Sequence, residues 1–189
     1  MDIYFNDRLI RFLRNDITRQ DTEALINAAN TSLLGGGGVD GAIHREGGSA
    51  ILEECKKISA EIGRCIPGRA VITTGGNLKA KFVIHTVGPI WYGGRCNEPE
   101  VLKNCYLSCM KLADEYSIKS ISFPSISTGA YRYPIDKASD IAIKTVVENI
   151  METNIKEIRF ILFSNMDLEQ YIEAYKKINE EALALVQDL

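Results

Sequence analysis

The stretch Asn27-Ala28-Ala29-Asn30-Thr31-Ser32-Leu33-Leu34-Gly35-Gly36-Gly37-Gly38-Val39-Asp40-Gly41-Ala42-Ile43-His44 runs from the end of one regular element into the start of another. Residues 24–28 form a short apolar run of the kind a buried strand takes, and residues 39–46 read as a helix. Four consecutive glycines lie between them. Glycine permits positive φ and lets backbone N–H groups approach a ligand with no Cβ in the way. Ordering such a run is entropically costly, so a plain surface turn explains it poorly. With a helix N-terminus directly behind, those amides suit phosphate oxygens. The generic nucleotide motifs fail here: no Lys-Ser/Thr follows as in a Walker A loop, and no G-x-G-x-x-G with a downstream acid is present.

Moving outward, the same strand-then-helix alternation fills the chain. Further strands are expected at 9–13, 70–74, 82–86, 120–124 and 158–163, and further helices at 49–58, 98–116, 137–152 and 168–186. Consecutive apolar residues, as in Phe82-Val83-Ile84, suit strands covered on both faces. In the helix at 137–152, Ala138, Ile141, Ala142, Thr145, Val146 and Asn149 share one side, and Asp136 stands where a cap is expected. The alternation predicts an α/β fold, a three-layer α/β/α sandwich with a central mixed, largely parallel sheet. With 189 residues and no repeat or linker, one domain over 1–189 is expected.

Composition narrows the function. A net charge of −3 with 46% hydrophobic and 25% charged residues is that of an ordinary soluble protein. No apolar run approaches the roughly 18 residues of a membrane span. The start Met1-Asp2-Ile3-Tyr4-Phe5-Asn6-Asp7-Arg8 lacks a basic region followed by an apolar one, so a cytoplasmic location without membrane association is expected. The mild acidity weighs against a nucleic-acid partner, which calls for a basic face. The five cysteines, Cys55, Cys65, Cys96, Cys105 and Cys109, form no CxxC pair, and His44 and His85 supply no matching spacing. Free thiols and no metal are therefore expected. Neither histidine lies near a nucleophile motif, so His85 reads as a hydrogen-bonded core residue and His44 as a structural one.

Open α/β sheets bind ligands beyond the carboxyl ends of their strands. That rule directs attention to a second loop, Ser125-Ile126-Ser127-Thr128-Gly129-Ala130-Tyr131-Arg132-Tyr133-Pro134, whose hydroxyls and amides suit another phosphate and whose Tyr131 offers a face to a sugar or ring. A third segment, Asn15-Asp16-Ile17-Thr18, follows the first expected strand. Asp16 has two readings there, a cap for a turn or an acceptor for an exocyclic amine such as that of adenine.

Taken together, these segments resemble the macrodomain family, specifically its MacroD-type branch. The resemblance is carried by Asp16-Ile17-Thr18, Asn27 through Asn30, Leu34 through His44, Pro67-Gly68, Thr73, Gly75, Asn77, Leu78, His85 through Pro89 and Ser125 through Pro134, in order over about residues 9 to 170. It implies an α/β/α sandwich that binds ADP-ribose without a cofactor, removes mono-ADP-ribose from acidic side chains of proteins and also deacetylates O-acetyl-ADP-ribose. Carried onto this chain, it gives Asp16 to the adenine amine with Ile17 beside it. Asn27 joins the binding set. Gly36, Gly37, Gly38 and Val39 wrap the diphosphate from one side, and Ser127, Thr128, Gly129, Ala130 and Tyr131 from the other. Asn30 holds the distal ribose, Asp40 is the catalytic carboxylate, and Tyr131 presses the ribose toward it. Phe163 and Asn165 close over adenine. Asn15 and Arg132 stand where the family often has glycine. Two alternatives remain at this point: a reader that binds ADP-ribose without turnover, and a phosphatase for ADP-ribose 1″-phosphate using the same pocket.

Overall fold

In the computed structural model, residues 1–187 are described, with side chains described through Glu180. One seven-stranded sheet runs in the order β1-β2-β7-β6-β3-β5-β4. Its strands are β1 (Asp2–Phe5), β2 (Arg8–Arg14), β3 (Ala24–Ala29), β4 (Ala70–Thr74), β5 (Phe82–Val87), β6 (Ser120–Phe123) and β7 (Glu157–Leu162). The five inner strands are mutually parallel, while β1 and β4 lie antiparallel at the two edges. This is the mixed, largely parallel sheet the alternation predicts.

Successive side chains on a strand point to opposite faces, and the inner strands are apolar on both. On β3, Ala24 and Ile26 join the core under α3 (Glu98–Glu115), α4 (Ile135–Asn149) and α5 (Asn165–Gln187). Leu25 and Ala29 join the core under α1 (Gly38–Gly47) and α2 (Ser49–Ile62). Two apolar layers on one sheet make the three-layer sandwich. In the larger layer, Phe12, Phe160 and Phe123 stack across β2, β7 and β6, with ring centroids 5.5 and 5.9 Å apart. Truncating a ring in such a stack to alanine costs about 3–5 kcal/mol.

Four features depart from expectation. Strand β1 has no signal in the sequence, because it is a short edge strand that buries only Ile3 and leaves Tyr4 69% exposed. Asp136 does not cap α4: Pro134 occupies that position and Asp136 lies inside the first turn, with no capping hydrogen bond. Proline suits a helix start because its missing N–H has no intrahelical partner there. The helix ends at Asn149, and a 3-10 turn over Ile150–Glu152 replaces its expected last turn. Helix α5 starts at Asn165, ahead of the expected 168, because Ser164 and Asp167 cap it reciprocally. All five cysteines are free thiols, and only Cys96 is exposed. No described helix is long and apolar enough to cross a membrane.

The carboxyl ends of β2, β3, β5, β6 and β7 share one edge of the sheet. The loops leaving that edge build the cleft.

Candidate active site

Two chambers open along that edge. The larger, about 800 Å³, is bounded by Asn15–Ile17 after β2, by Val39, Ala42 and Arg45 on one side of α1, by Thr128 after β6 and by Phe163 and Asp167 after β7. The smaller, about 350 Å³, is bounded by Asn30, Gly36, Gly37, Asp40, Gly88, Ser127, Ala130 and Tyr131. Gly38, Val39, Ser125 and Gly129 belong to both, so the chambers form one bent cleft of a size that takes a nucleotide-like ligand.

Asp40 is the chemical centre of the smaller chamber. It sits in the first turn of α1, where the helix dipole favours a negative charge. Its side chain is only 5% exposed. Oδ1 accepts a hydrogen bond from Asn27 Nδ2 at 2.7 Å and lies 3.4 Å from His44 Nε2. Burial raises the Asp40 pKa, and the Asn27 hydrogen bond and the His44 charge oppose that rise. Oδ2 faces Gly36, where an added Cβ would stand 3.0 Å from it and 3.3 Å from Asn30 Nδ2. A side chain at 36 would therefore push against both groups. This is the positive reason for glycine at that position.

Behind Asp40 lies a buried polar chain. Asn27 Nδ2 spends one hydrogen on Asp40 and the other on His85 Nδ1, 3.0 Å away. His85 is fully buried, which pushes its pKa down to about 3 and keeps the imidazole neutral. With Nδ1 accepting, Nε2–H donates to Thr73 Oγ1 at 2.8 Å, which donates to the Thr74 carbonyl. Asn27 is 0% exposed and touches neither chamber. Expected in the binding set, it is placed by β3 in the core, where it holds Asp40 from beneath. His44, Cys55 and His85 also bring ligand atoms within 4.8 Å of one another. That donor set does not fit a resident metal, since both His85 nitrogens are committed and burial pushes the Cys55 thiol up to about 12.

The loop residues hold themselves in shape. Asn30 Nδ2 donates to the Gly35 carbonyl at 2.8 Å, and its Oδ1 accepts from the Ser32 amide and hydroxyl. The N-cap of α1 is Gly37, with no side-chain partner for the first amides, so they stay open to an anion. Across the cleft, Ser127 adopts φ +68° with a buried hydroxyl that has no partner among the described residues. Gly88 passes so close that an added Cβ would stand 2.1 Å from Ser127 Oγ. The Tyr131 carbonyl accepts from the Trp91 amide at 2.9 Å, and burial together with the Asp40 charge raises the Tyr131 pKa. Asp40, Asn30 and Tyr131 all border the smaller chamber.

Arg132 is exposed, borders neither chamber and holds φ +56°. The left-handed conformation explains why glycine suits this position. It costs a non-glycine residue about 1–2 kcal/mol, against the 0.5–1 kcal/mol of extra entropy that glycine loses on folding. Arg132→Gly is expected to stabilise the fold by about 0.5–1 kcal/mol, read by urea denaturation. A destabilised variant would show that the guanidinium makes compensating contacts.

At the larger chamber, Asp16 is a cap that also borders the cleft. Its Oδ1 caps a 3-10 turn (Ile17–Arg19) by accepting from the Thr18 amide and hydroxyl, while the residue itself stays exposed in the cleft wall. Phe163 projects into solvent at the rim, 94% exposed. Asn165, expected over adenine, opens α5 and accepts from Arg14 Nη1 at 3.0 Å without bordering the cleft, whereas Asp167 borders it. Arg14, Arg45 and Asp167 were not anticipated as cleft residues. Spacing on α1 carries a signal for Arg45 alone, since Val39, Ala42 and Arg45 recur on one helical side.

This fold and cleft define a class, an α/β/α ligand-binding domain whose amide-lined loops meet a buried carboxylate. The Macro domain family profile matches residues 26–142, and the chain belongs to that family. It is 53% identical to a macro domain-containing protein of Caldanaerobacter subterraneus subsp. tengcongensis, over 90% of this chain and 98% of that one. It is 48% identical to a Pantoea vagans protein named O-acetyl-ADP-ribose deacetylase 1, over 87% and 96% of the two chains. Among solved structures, the Oceanobacillus iheyensis macrodomain with ADP superposes with a TM-score of 0.92 at 41% identity, covering 96% and 97% of the two chains.

Proposed function

We propose that this protein binds ADP-ribose and hydrolyses mono-ADP-ribose from acidic side chains of proteins, with O-acetyl-ADP-ribose as a further substrate. The observation that carries the reading is Asp40, a desolvated carboxylate with Oδ1 pinned by Asn27 and Oδ2 turned toward the chamber that Tyr131 closes. The name of the Pantoea vagans relative and the ADP bound by the Oceanobacillus macrodomain support it.

In this reading adenosine fills the larger chamber, with its amine toward Asp16. The diphosphate lies at the junction of the chambers, between the open N-terminus of α1 and the loop at 127–130. Neither loop brings a cation to the junction, and the cleft arginines Arg14 and Arg45 border the larger chamber alone, so neutral amide dipoles carry the anion. The distal ribose rests on Tyr131 with its anomeric carbon toward Asp40. Water attacks that carbon and gives its proton to Asp40, which later releases it to solvent. The bond to the carboxylate oxygen breaks, and the protein carboxylate leaves as an anion that needs no strong acid. Asp40 orients the water and offsets positive charge developing on the ribose.

Incubating the protein with a substrate mono-ADP-ribosylated on glutamate tests the reading by release of free ADP-ribose. Tight binding without release would leave the reader. Release of inorganic phosphate from ADP-ribose 1″-phosphate would favour the phosphatase. A pure reader has no use for a buried carboxylate at the distal ribose, which costs desolvation.

The adenine contact has its own test. Asp16→Ala is expected to weaken ADP-ribose binding by about 1–3 kcal/mol in calorimetry, the range for an unpaired hydrogen-bonding partner. It also removes the cap, at about 1 kcal/mol of stability. Asp16→Asn keeps an oxygen for Thr18, so it should keep that stability while still weakening ADP-ribose. Unchanged affinity in both variants would remove Asp16 from the ligand.

A further inference from the structure

A chain of hydroxyls runs from the core into the floor of the cleft, outside the residues that the proposed reaction uses. Tyr106 on α3 and Tyr171 on α5 are both fully buried, with their phenol oxygens 3.5 Å apart. Tyr171 O–H donates to Ser125 Oγ at 2.9 Å. A phenol has one proton. With that proton committed to Ser125, the Tyr171 oxygen can only accept, so the bond between the two phenols runs from Tyr106 to Tyr171. Burial holds both phenols protonated, pushing Tyr171 up to about 12 and Tyr106 well above its ordinary value.

The direction of this chain decides what Ser125 offers the cleft. Ser125 is half-buried and borders both chambers, so it stands at their junction. Its hydroxyl accepts from Tyr171 on the core side, and Ser125 Oγ makes no other hydrogen bond among the described residues. Its own hydrogen is therefore left for the cleft. Hydrogen bonds in series polarise one another, which makes the last donor stronger.

We propose that Tyr171, backed by Tyr106, is a positioning residue that fixes Ser125 as a one-way hydrogen-bond donor to the diphosphate, tying α5 to anion binding. This rests on the reading that a diphosphate lies at the junction. A free serine hydroxyl rotates and presents either a hydrogen or a lone pair. Held by Tyr171, it presents the hydrogen, which favours an anion over a neutral group. The same arrangement places the discrimination on the phosphates and leaves the adenosine contacts alone.

Calorimetry on the full chain with ADP-ribose and with adenosine tests this in Ser125→Ala, Tyr171→Phe and the double variant. Each single variant is expected to lower ADP-ribose affinity about 3- to 10-fold, the size of one hydrogen bond. Adenosine binding should stay unchanged, and the double variant should be no weaker than Ser125→Ala alone. A merely structural Tyr171 would lower the Tm with ADP-ribose affinity intact, or give losses that add, and either result overturns the proposal. Should Tyr171→Phe not fold, Tyr106→Phe acts one step further back and is expected to lower ADP-ribose affinity about 2-fold. Unchanged affinity in that variant counts against the chain. A parent protein that binds no ADP-ribose would instead overturn the underlying reading.

Discussion

Asp40→Asn is expected to lower release of ADP-ribose from a glutamate-linked substrate by about 10²–10⁴-fold, the range for losing a positioned general base. Affinity for ADP-ribose should stay within a few-fold of the parent, because asparagine keeps an oxygen for Asn27 Nδ2 and the amide-lined loops are untouched. The same variant should be more stable than the parent at neutral pH. Burial raises the Asp40 pKa in the fold above its ordinary value of 3.8. Its contribution is therefore most favourable below the unfolded pKa and is lost as pH rises through the folded one. Thermal melts should show the variant above the parent at pH 7, with the gap closing toward about pH 4. Turnover of the parent should fall on acidification with a midpoint above 3.8, as the carboxylate takes a proton. Parent-like turnover in Asp40→Asn would take Asp40 out of the reaction. A variant less stable than the parent at pH 7 would show that its neighbours more than offset the burial of the charge.

The elements of the fold that carry two-sided apolar strands were legible from residues 24–28, 82–86 and 158–163, because burial on both faces leaves a continuous apolar signature. Strand β1 was not, since an edge strand with one buried side chain has no such signature. The walls of the cleft were legible where backbone does the work: glycines at 36–38 and the loop at 127–131 announce themselves because few other sequences fit such turns. What stayed hidden depends on long-range pairing. Asn27 lies 58 positions from His85, and Ser125 lies 46 from Tyr171. No local spacing links such partners, and only the parallel register of β3 beside β5 sets Asn27 opposite His85. Arg132 shows the converse. It departs from the family pattern, and its meaning came from a backbone angle rather than from its charge.

The buried chain behind Asp40 gives the second large effect, through Asn27→Asp. The parent amide donates two hydrogens, one to Asp40 Oδ1 and one to His85 Nδ1. A carboxylate donates none, so the substitution sets two carboxylates side by side and turns a lone pair toward a neutral imidazole. The other titratable groups near the pair give limited relief. Tyr131 is protonated and His85 is held neutral, which leaves His44, whose Nε2 is 3.4 Å from Asp40 Oδ1. The two acids must then share one proton, as like-charged carboxylates in one site do. Stability should fall by about 3–5 kcal/mol at pH 7, the cost of an uncompensated buried charge. Because the pair's pKa is raised above the unfolded value of about 3.9, the deficit should be small below that pH and grow as pH rises toward the raised pKa. Turnover should need a higher pH than the parent's. Asn27→Ala, by contrast, leaves two unpaired groups and a small cavity, and should cost about 2–4 kcal/mol with little dependence on pH. Urea denaturation of both variants between about pH 4 and pH 8 separates an electrostatic role for Asn27 from a packing one. A deficit in Asn27→Asp that ignores pH would mean that the two carboxylates do not meet, and that Asn27 does not set the charge on Asp40.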